Sequence, residues 1–537
     1  METERFSFDC ADTNEDDALF DADAAVAVAR EGFHVRYLFP WQRLVISNIL
    51  DGTHKNQLVI LPTGAGKSLC FLVPALLLEG ATLVLYPLIA LMNDQKRRMD
   101  EAGIPCVVFK GGQSDEERAE NFARLADRQN PAKVILANPE VLQNESLLER
   151  LSACNITHAA IDEAHCVAEW GDSFRPAYLT LGAIIRRLHI PRTTAFTATA
   201  SAPVLERIGE VLFANEFHLV RGESDRANIH YEVRYAYAKK KAALMCAKTM
   251  ARPMIIFCGT RRRSEEMARL CASYFGHEKT RFYHAGMTKD EKRAVEQWFY
   301  ETKDGIIAAT CALGMGIDKA DVATVVHLDA PAHLENFAQE AGRAGRNGEN
   351  ARSVLIWNHA DAVHWRQAKI GSRERALGDF AMTRSCRRQF LLDYLGGEQA
   401  VCSGCDVCDA KARGEQVNQR AWDAELAERF IKKHRRLFTR EEAVHELTEK
   451  LNERTLEIFG MNVWDAKDTT EIVSQLLSER KIRMCAGLWE NRLDVVTNAG
   501  KSVLALIPRR HRHHLHRLRQ RFRQGQKRAR RLFSSLS

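Results

Sequence analysis

Seven residues, "PTGAGKS" (62–68), follow the apolar run "QLVIL" (57–61) and open a second apolar stretch, "LCFLVPALLL" (69–78). Strand, glycine-rich turn and helix in that order make a phosphate cradle. Gly64 and Gly66 let the backbone approach a triphosphate, and the N–H groups of Thr63, Gly64, Ala65 and Gly66 face its oxygens at the helix N-terminus. Lys67 reaches the β- and γ-phosphates, and the Ser68 hydroxyl is a ligand for Mg²⁺. The plain GxxxxGK[ST] pattern fails at one position, where Leu61 stands for the leading glycine. Roughly one hundred residues later, "AAIDEAHC" (159–166) places two acids at the exit of another apolar run. Asp162 is suited to hold Mg²⁺ through water, and Glu163 to position or deprotonate an attacking water.

A second constellation is made of sulfur. Cys402, Cys405 and Cys408 form two successive CxxC steps, and Cys386 precedes the first by sixteen positions. Four thiolates suit tetrahedral Zn²⁺, because a CxxC step lets both sulfurs converge on one ion. A ferredoxin-type iron–sulfur run wants a further cysteine at position 412, where Ala412 stands. The other ten cysteines are scattered singly, which suits a reducing compartment.

Positioning these groups calls for buried strands alternating with helices, hence an α/β fold. A chain of 537 residues exceeds one core and predicts three or four domains. With 45% hydrophobic and 27% charged residues, it has the composition of a globular protein. No apolar run reaches the ~20 residues of a membrane helix. The acidic start does not read as a secretory or mitochondrial leader, and no membrane contact is expected. The net charge of +7 conceals a polarity: residues 1–30 carry nine acids and two bases, whereas 508–537 carry eleven bases and no acid. Such a basic end points to a polyanion partner, with Leu515, Leu518 and Phe522 spaced for an amphipathic helix.

Further blocks occur in order: "FPWQ" (39–42), "LPTGAGKS" (61–68), "YPLIALMNDQ" (86–95), "IDEAHCVAEWGDSFRPAY" (161–178), "FTATAS" (196–201), "RANIHY" (226–231), "YHAG" (283–286), "ATCALGMGIDKADV" (309–322) and "QEAGRAGRNG" (339–348). Through them the chain resembles the RecQ DNA helicases, from about Gly32 to about Leu506. The resemblance implies two tandem RecA-like domains closing on ATP (31–222 and 223–357), then a helical zinc-binding subdomain (358–415) and a winged-helix domain (420–507). An acidic segment (1–30) and a basic tail (508–537) flank them.

By the family pattern, Arg346 is the arginine finger, with Arg343 beside it and Gln339 facing the cleft, and Lys67, Asp162 and Glu163 complete the catalytic set. Gln42 reads the adenine edge; His165, Thr197 and Thr199 couple the cleft to the nucleic-acid groove. Trp170, Phe174 and Arg175 offer two stacking faces and a cation to single-stranded DNA. Cys386, Cys402, Cys405 and Cys408 hold zinc, and Leu488 and Trp489 fall near a hairpin tip that could press on a terminal base pair.

Two departures stand out: Phe39 and Trp41 flank the proline where the family has Arg and Gly, and Asp172-Ser173 replaces His-Asp after Trp-Gly. The second predicts modest stimulation of hydrolysis by DNA. The implied activity is ATP-dependent 3′→5′ DNA unwinding in repair, recombination or replication, with ATP, Mg²⁺ and Zn²⁺ as cofactors. Single-stranded and duplex DNA are the implied partners, a single-stranded-DNA-binding protein a candidate one, and the cytoplasm, on DNA, the expected location. The rival readings are an RNA-remodelling DEAH-type ATPase and a catalytically weakened DNA-binding scaffold. Intact Lys67, Ser68, Asp162, Glu163, Arg343 and Arg346 weigh against the scaffold.

Overall fold

A computed structural model of the chain describes residues 23–35, 37–62, 65–170, 175–222, 225–315, 319–415, 422–485 and 489–496. They fall into two compact units, one within 1–234 and 242–418, the other within 235–241 and 419–537. No helix among the described residues is long and apolar enough to cross a membrane.

The first unit contains two sheets. Strands β1 (Asn56–Ile60), β2 (Ala81–Leu85), β3 (Cys106–Phe109), β4 (Val134–Ala137), β5 (Ile156–Ile161), β6 (Thr193–Thr197) and β7 (His218–Arg221) assemble in the order β3-β4-β2-β5-β6-β1-β7. All their pairings are parallel. Short runs such as "ATLVL" and "VILA" are buried at every position, as a sheet covered by helices on both faces requires.

Register then makes the site. Ile60 pairs with Thr197, and Ala195 with Ile161, so β1, β6 and β5 end level with one another. The phosphate loop, the Thr197 turn and the acidic pair thus leave three neighbouring strands at the carboxyl edge where parallel sheets bind ligands.

Residues 24–30 are acidic enough in their surroundings to group with the leading segment, and the structure corrects that boundary. Helix Ala24–Phe33 buries Ala25, Val26 and Ala29 in a cluster with Ile46 and Val73. Asp23 caps it by accepting from the Ala25 N–H at 3.0 Å. Residues 1–22 lie outside the described residues.

The second sheet comprises β8 (Ile229–Tyr235), β9 (Met254–Phe257), β10 (Thr280–Tyr283), β11 (Ile306–Ala309), β12 (Thr324–His327) and β13 (Ala351–Trp357), ordered β10-β11-β9-β12-β13-β8. Helices His359–Gln367, Arg373–Met382, Arg387–Leu395 and Asp406–Ala412 come next in the chain. They cover the edge strand β8: the Val233 N–H donates to Asp406, His230 pairs with Asp409 at 2.7 Å, and Tyr231 bridges to Cys405.

The second unit has helices Trp422–Lys433, Arg440–Phe459 and Ala466–Ser478, then a hairpin of β14 (Ile482–Met484) and β15 (Leu493–Val495). Capping boxes at Thr439 and Asp465 start the last two helices. Their apolar faces bury Val444, Leu447, Leu451, Ile472 and Leu476 with Trp464. This is the expected helix-and-hairpin order with one correction. "TTEIVSQLLSERKIRM" (469–484) reads as one helix, yet the helix stops at Ser478 and "IRM" is the hairpin's first strand. Arg480, at φ 57°, turns the chain there. Trp489 lies between the two strands and is 43% exposed; Leu488 and the tail from 508 onward lie outside the described residues.

Candidate nucleotide cleft and metal centre

Helix Lys67–Leu77 begins at Gly66, whose φ of +71° and close approach to Gln42 (2.4 Å from a notional Cβ) admit only glycine. Lys67 and Ser68 therefore sit in the first turn, where helix N–H groups and dipole favour an anion. The Lys67 ammonium donates back to the Leu61 carbonyl at 3.3 Å. Thr63 and Gly64 lie outside the described residues.

Gln42 is 2% exposed and uses its carboxamide inside the protein. Its Oε1 accepts from the Phe39 N–H at 2.9 Å and its Nε2 donates to the Ala65 carbonyl at 3.0 Å, tying the helix Pro40–Asp51 to the phosphate loop. One N–H and one lone pair remain for a base edge. Around it Phe39 lies face to face with Trp41 (centroids 4.7 Å apart, planes 7° apart) and Tyr37 meets Phe39 edge-on. The departure from Arg and Gly has produced an aromatic stack.

Asp162 continues β5, its N–H bonded to the Leu85 carbonyl. Burial, and then the neighbouring Glu163 charge, push its carboxyl well above the usual range, while Lys67 pulls the other way. A buried carboxylate of this kind calls for a cation. Glu163 adopts φ +50°, a left-handed conformation that costs a non-glycine residue roughly 1–2 kcal/mol, and its N–H donates to Asp162 Oδ1 at 2.9 Å.

From Glu163 a chain of polar contacts crosses the cleft. Glu163 Oε2 lies 3.3 Å from His165 Nδ1, which lies 3.1 Å from Thr197 Oγ1. Thr197 Oγ1 donates to the Thr199 carbonyl at 3.0 Å, so its oxygen is free to accept and His165 carries its proton on Nδ1. Gln339 Nε2, from the second sheet's helix Leu334–Ala341, donates to Thr199 Oγ1 at 3.0 Å. His165, Thr197, Thr199 and Gln339, expected separately in the cleft, thus form one connected path. Beside it Ser201 donates to Glu335 at 2.5 Å, and Glu335, 2% exposed, also takes Arg373 and Tyr394 at 3.1 Å.

Arg343 and Arg346 come after that helix in the turn 342–346. The residues that shape the turn belong to the block "RANIHY" (226–231), to which the sequence assigns no role. Arg226 donates to the carbonyls of Gly342 (2.9 Å), Ala344 (2.8 Å) and Gly345 (3.0 Å), and Asn228 to those of Gly345 and Glu349 (2.7 Å each). An Arg and an Asn two positions apart in a connecting segment are the available signal.

Arg175 is corrected. Instead of offering its cation to DNA, its guanidinium donates to the Pro87 carbonyl and pairs with Glu140 at 3.5 Å. Those partners hold it inward, so it anchors the end of the aromatic-rich loop. Phe174 and the Trp170 side chain lie outside the described residues.

The four sulfurs of Cys386, Cys402, Cys405 and Cys408 lie within 4.8 Å of one another. Tetrahedral zinc with Zn–S of about 2.3 Å needs sulfurs about 3.8 Å apart, so the set fits. Cys386 Sγ accepts from the Gln389 N–H and Cys405 Sγ from the Cys408 N–H, bonds that favour thiolate. The buried Arg387–Asp406 ion pair braces the two ligand segments.

Comparison with known proteins agrees. Residues 39–208 match the DEAD/DEAH box helicase family, 239–348 the helicase conserved C-terminal domain, and 359–409 the RecQ zinc-binding family. The chain belongs to the RecQ family of superfamily 2 helicases. It is 32% identical to the ATP-dependent DNA helicase RecQ of Haemophilus influenzae over 404 residues, 73% of this chain and 64% of that protein. To the RecQ helicase of Bacillus subtilis it is 28% identical over 478 residues, 85% and 79% of the two chains. The match thus spans somewhat less than two thirds of the Haemophilus RecQ. The helicase MrfA bound to DNA shares the fold (TM-score 0.54, 19% identity, 89% of this chain and 63% of that one). Beyond the RecQ motor, the metal centre is where the family's zinc-binding pattern and the four converging sulfurs coincide.

Proposed function

We propose that this RecQ-family chain is an ATP-dependent DNA helicase that translocates 3′→5′ on single-stranded DNA and unwinds duplex in repair, recombination or replication. The polar path from Glu163 to Gln339 carries the reading, because a motor must make hydrolysis at one sheet depend on the placement of the other. Lys67 holds the β/γ-phosphates and Asp162 with Ser68 holds Mg²⁺, which screens phosphate charge when bound. Glu163 orients the attacking water, and Arg343 and Arg346 stabilise charge on the transferring phosphoryl group. The Tyr37–Phe39–Trp41 stack offers the base an aromatic face beside Gln42.

The RNA-remodelling reading is less favoured, since the named relatives with the same zinc-binding segment are DNA helicases. A cytoplasmic location on DNA and a single-stranded-DNA-binding partner belong to the same proposal, and the singly scattered cysteines suit that compartment.

The deciding experiment is strand displacement with Mg²⁺-ATP on a duplex bearing a 3′ single-stranded tail, a 5′-tailed duplex and Glu163→Gln protein serving as controls. Displacement by wild type on the 3′ tail alone, abolished by the substitution, is the expected result. Binding without displacement would return the scaffold reading.

A further inference from the structure

The metal centre lies outside the nucleotide cleft, yet its sequence neighbours reach it. Arg388, two residues after Cys386, is 1% exposed. Its Nη2 donates to the carbonyls of Arg226 (2.7 Å) and Ile229 (3.2 Å), its Nε faces Asp225 at 3.2 Å, and its Nη1 donates to Ser403 Oγ. Ser403, between Cys402 and Cys405, in turn donates to the Ala227 carbonyl. The segment 225–229 is therefore gripped along its backbone by two side chains whose own backbones are fixed by the four cysteines.

The same five residues grip the arginine turn with their side chains. Arg226 satisfies three carbonyls of 342–345 and Asn228 two more, while the Ala351 N–H returns to the Asn228 carbonyl at 2.9 Å. The fit leaves no slack: Gly345 sits at φ +57° with a notional Cβ 2.4 Å from Asn228 Nδ2.

We propose that Arg388 is a positioning residue for the arginine fingers: anchored by the metal-binding segments, it fixes the backbone of 225–229, which through Arg226 and Asn228 fixes the turn bearing Arg343 and Arg346. The inference rests on the helicase reading of the cleft, and it makes the zinc-binding subdomain a working part of the ATPase. An arginine finger acts only when placed to within a fraction of an ångström, so a loosened turn lowers transition-state stabilisation while leaving ATP binding nearly intact.

The test uses the full-length, zinc-replete chain. Arg388→Lys keeps the charge and loses the planar fork; Ser403→Ala removes one arm of the grip and no metal ligand. Three quantities are read: zinc per chain, kcat and KM for ATP with single-stranded DNA, and amide hydrogen exchange across 342–349. The expected result for Arg388→Lys is one zinc per chain, KM within about three-fold, kcat down at least ten-fold, and exchange across 342–349 at least ten-fold faster. Ser403→Ala shows the same split at smaller amplitude, and it decides the matter if Arg388→Lys does not fold. Wild-type kcat and wild-type exchange in folded variants would overturn the proposal, as would losses that track zinc content or global unfolding alone. If the wild-type chain hydrolyses no ATP, the helicase reading fails by itself, and the exchange measurement still decides whether Arg388 orders the turn.

Discussion

Among individual residues, Thr199 is the joint of the cleft. Its hydroxyl takes the Gln339 amide from the second sheet, and its carbonyl takes the Thr197 hydroxyl that serves His165. Thr199→Val keeps the shape and removes the acceptor. One hydrogen bond of about 1–1.5 kcal/mol, made where the two halves must register, predicts roughly a ten-fold fall in DNA-stimulated turnover with KM for ATP changed by less than three-fold. Steady-state hydrolysis with and without single-stranded DNA measures it; unchanged stimulated turnover would mean that coupling runs elsewhere.

At the scale of elements, the hairpin of the second unit hangs on one carboxylate. Asp494 in β15 has a fully buried side chain and pairs with Arg435 Nε (2.6 Å), Arg436 Nε (3.0 Å) and, more loosely, Arg483 (3.6 Å). Hydrogen bonding from Arg435, opposed by burial and aided by Arg436, holds its pKa down to about 2. A carboxyl depressed in the folded state contributes stability above its unfolded pKa of about 3.9, and loses that contribution as pH falls towards its folded value. Stability should therefore drop between about pH 4 and pH 2 in wild type and drop less over that window in Asp494→Asn. At pH 7 the substitution should cost roughly 1–3 kcal/mol, below a fully buried pair because the arginines are about half exposed. Urea unfolding across the pH range, followed through Trp464 and Trp489, reads both.

For the whole molecule, the dominant fact is charge asymmetry between the ends: net −7 over residues 1–30 and +11 over 508–537. Phosphate neutralisation by the tail would appear as counterion release. Deleting 508–537 should weaken binding to single-stranded DNA and flatten the slope of log K against log salt by about 0.7 for each phosphate no longer neutralised. An unchanged slope would assign the tail to a partner other than nucleic acid, for which the Leu515, Leu518 and Phe522 spacing supplies an apolar face. The zinc-binding subdomain belongs to this scale too: its Arg388 and Ser403 reach the segment that shapes the cleft's arginine turn.

Whatever depends on residue type and local spacing could be read from the chain alone. The phosphate loop, the Asp162–Glu163 pair, the zinc cysteines and the parallel α/β architecture were legible because glycine conformations, ligand spacing and buried apolar runs are short-range properties. Which polar groups were already spoken for became visible only in the folded molecule. Arg175 reads as a free cation in sequence and is taken by the Pro87 carbonyl and Glu140; Gln42 reads as a base reader and spends half its carboxamide on Phe39 and Ala65. Arg226, Asn228 and Arg388 read as ordinary polar residues and become the frame of the arginine turn. Backbone carbonyls supply most of those partners, and every residue has one. No pattern of side chains can therefore announce such bonds; they exist only once distant segments are packed together.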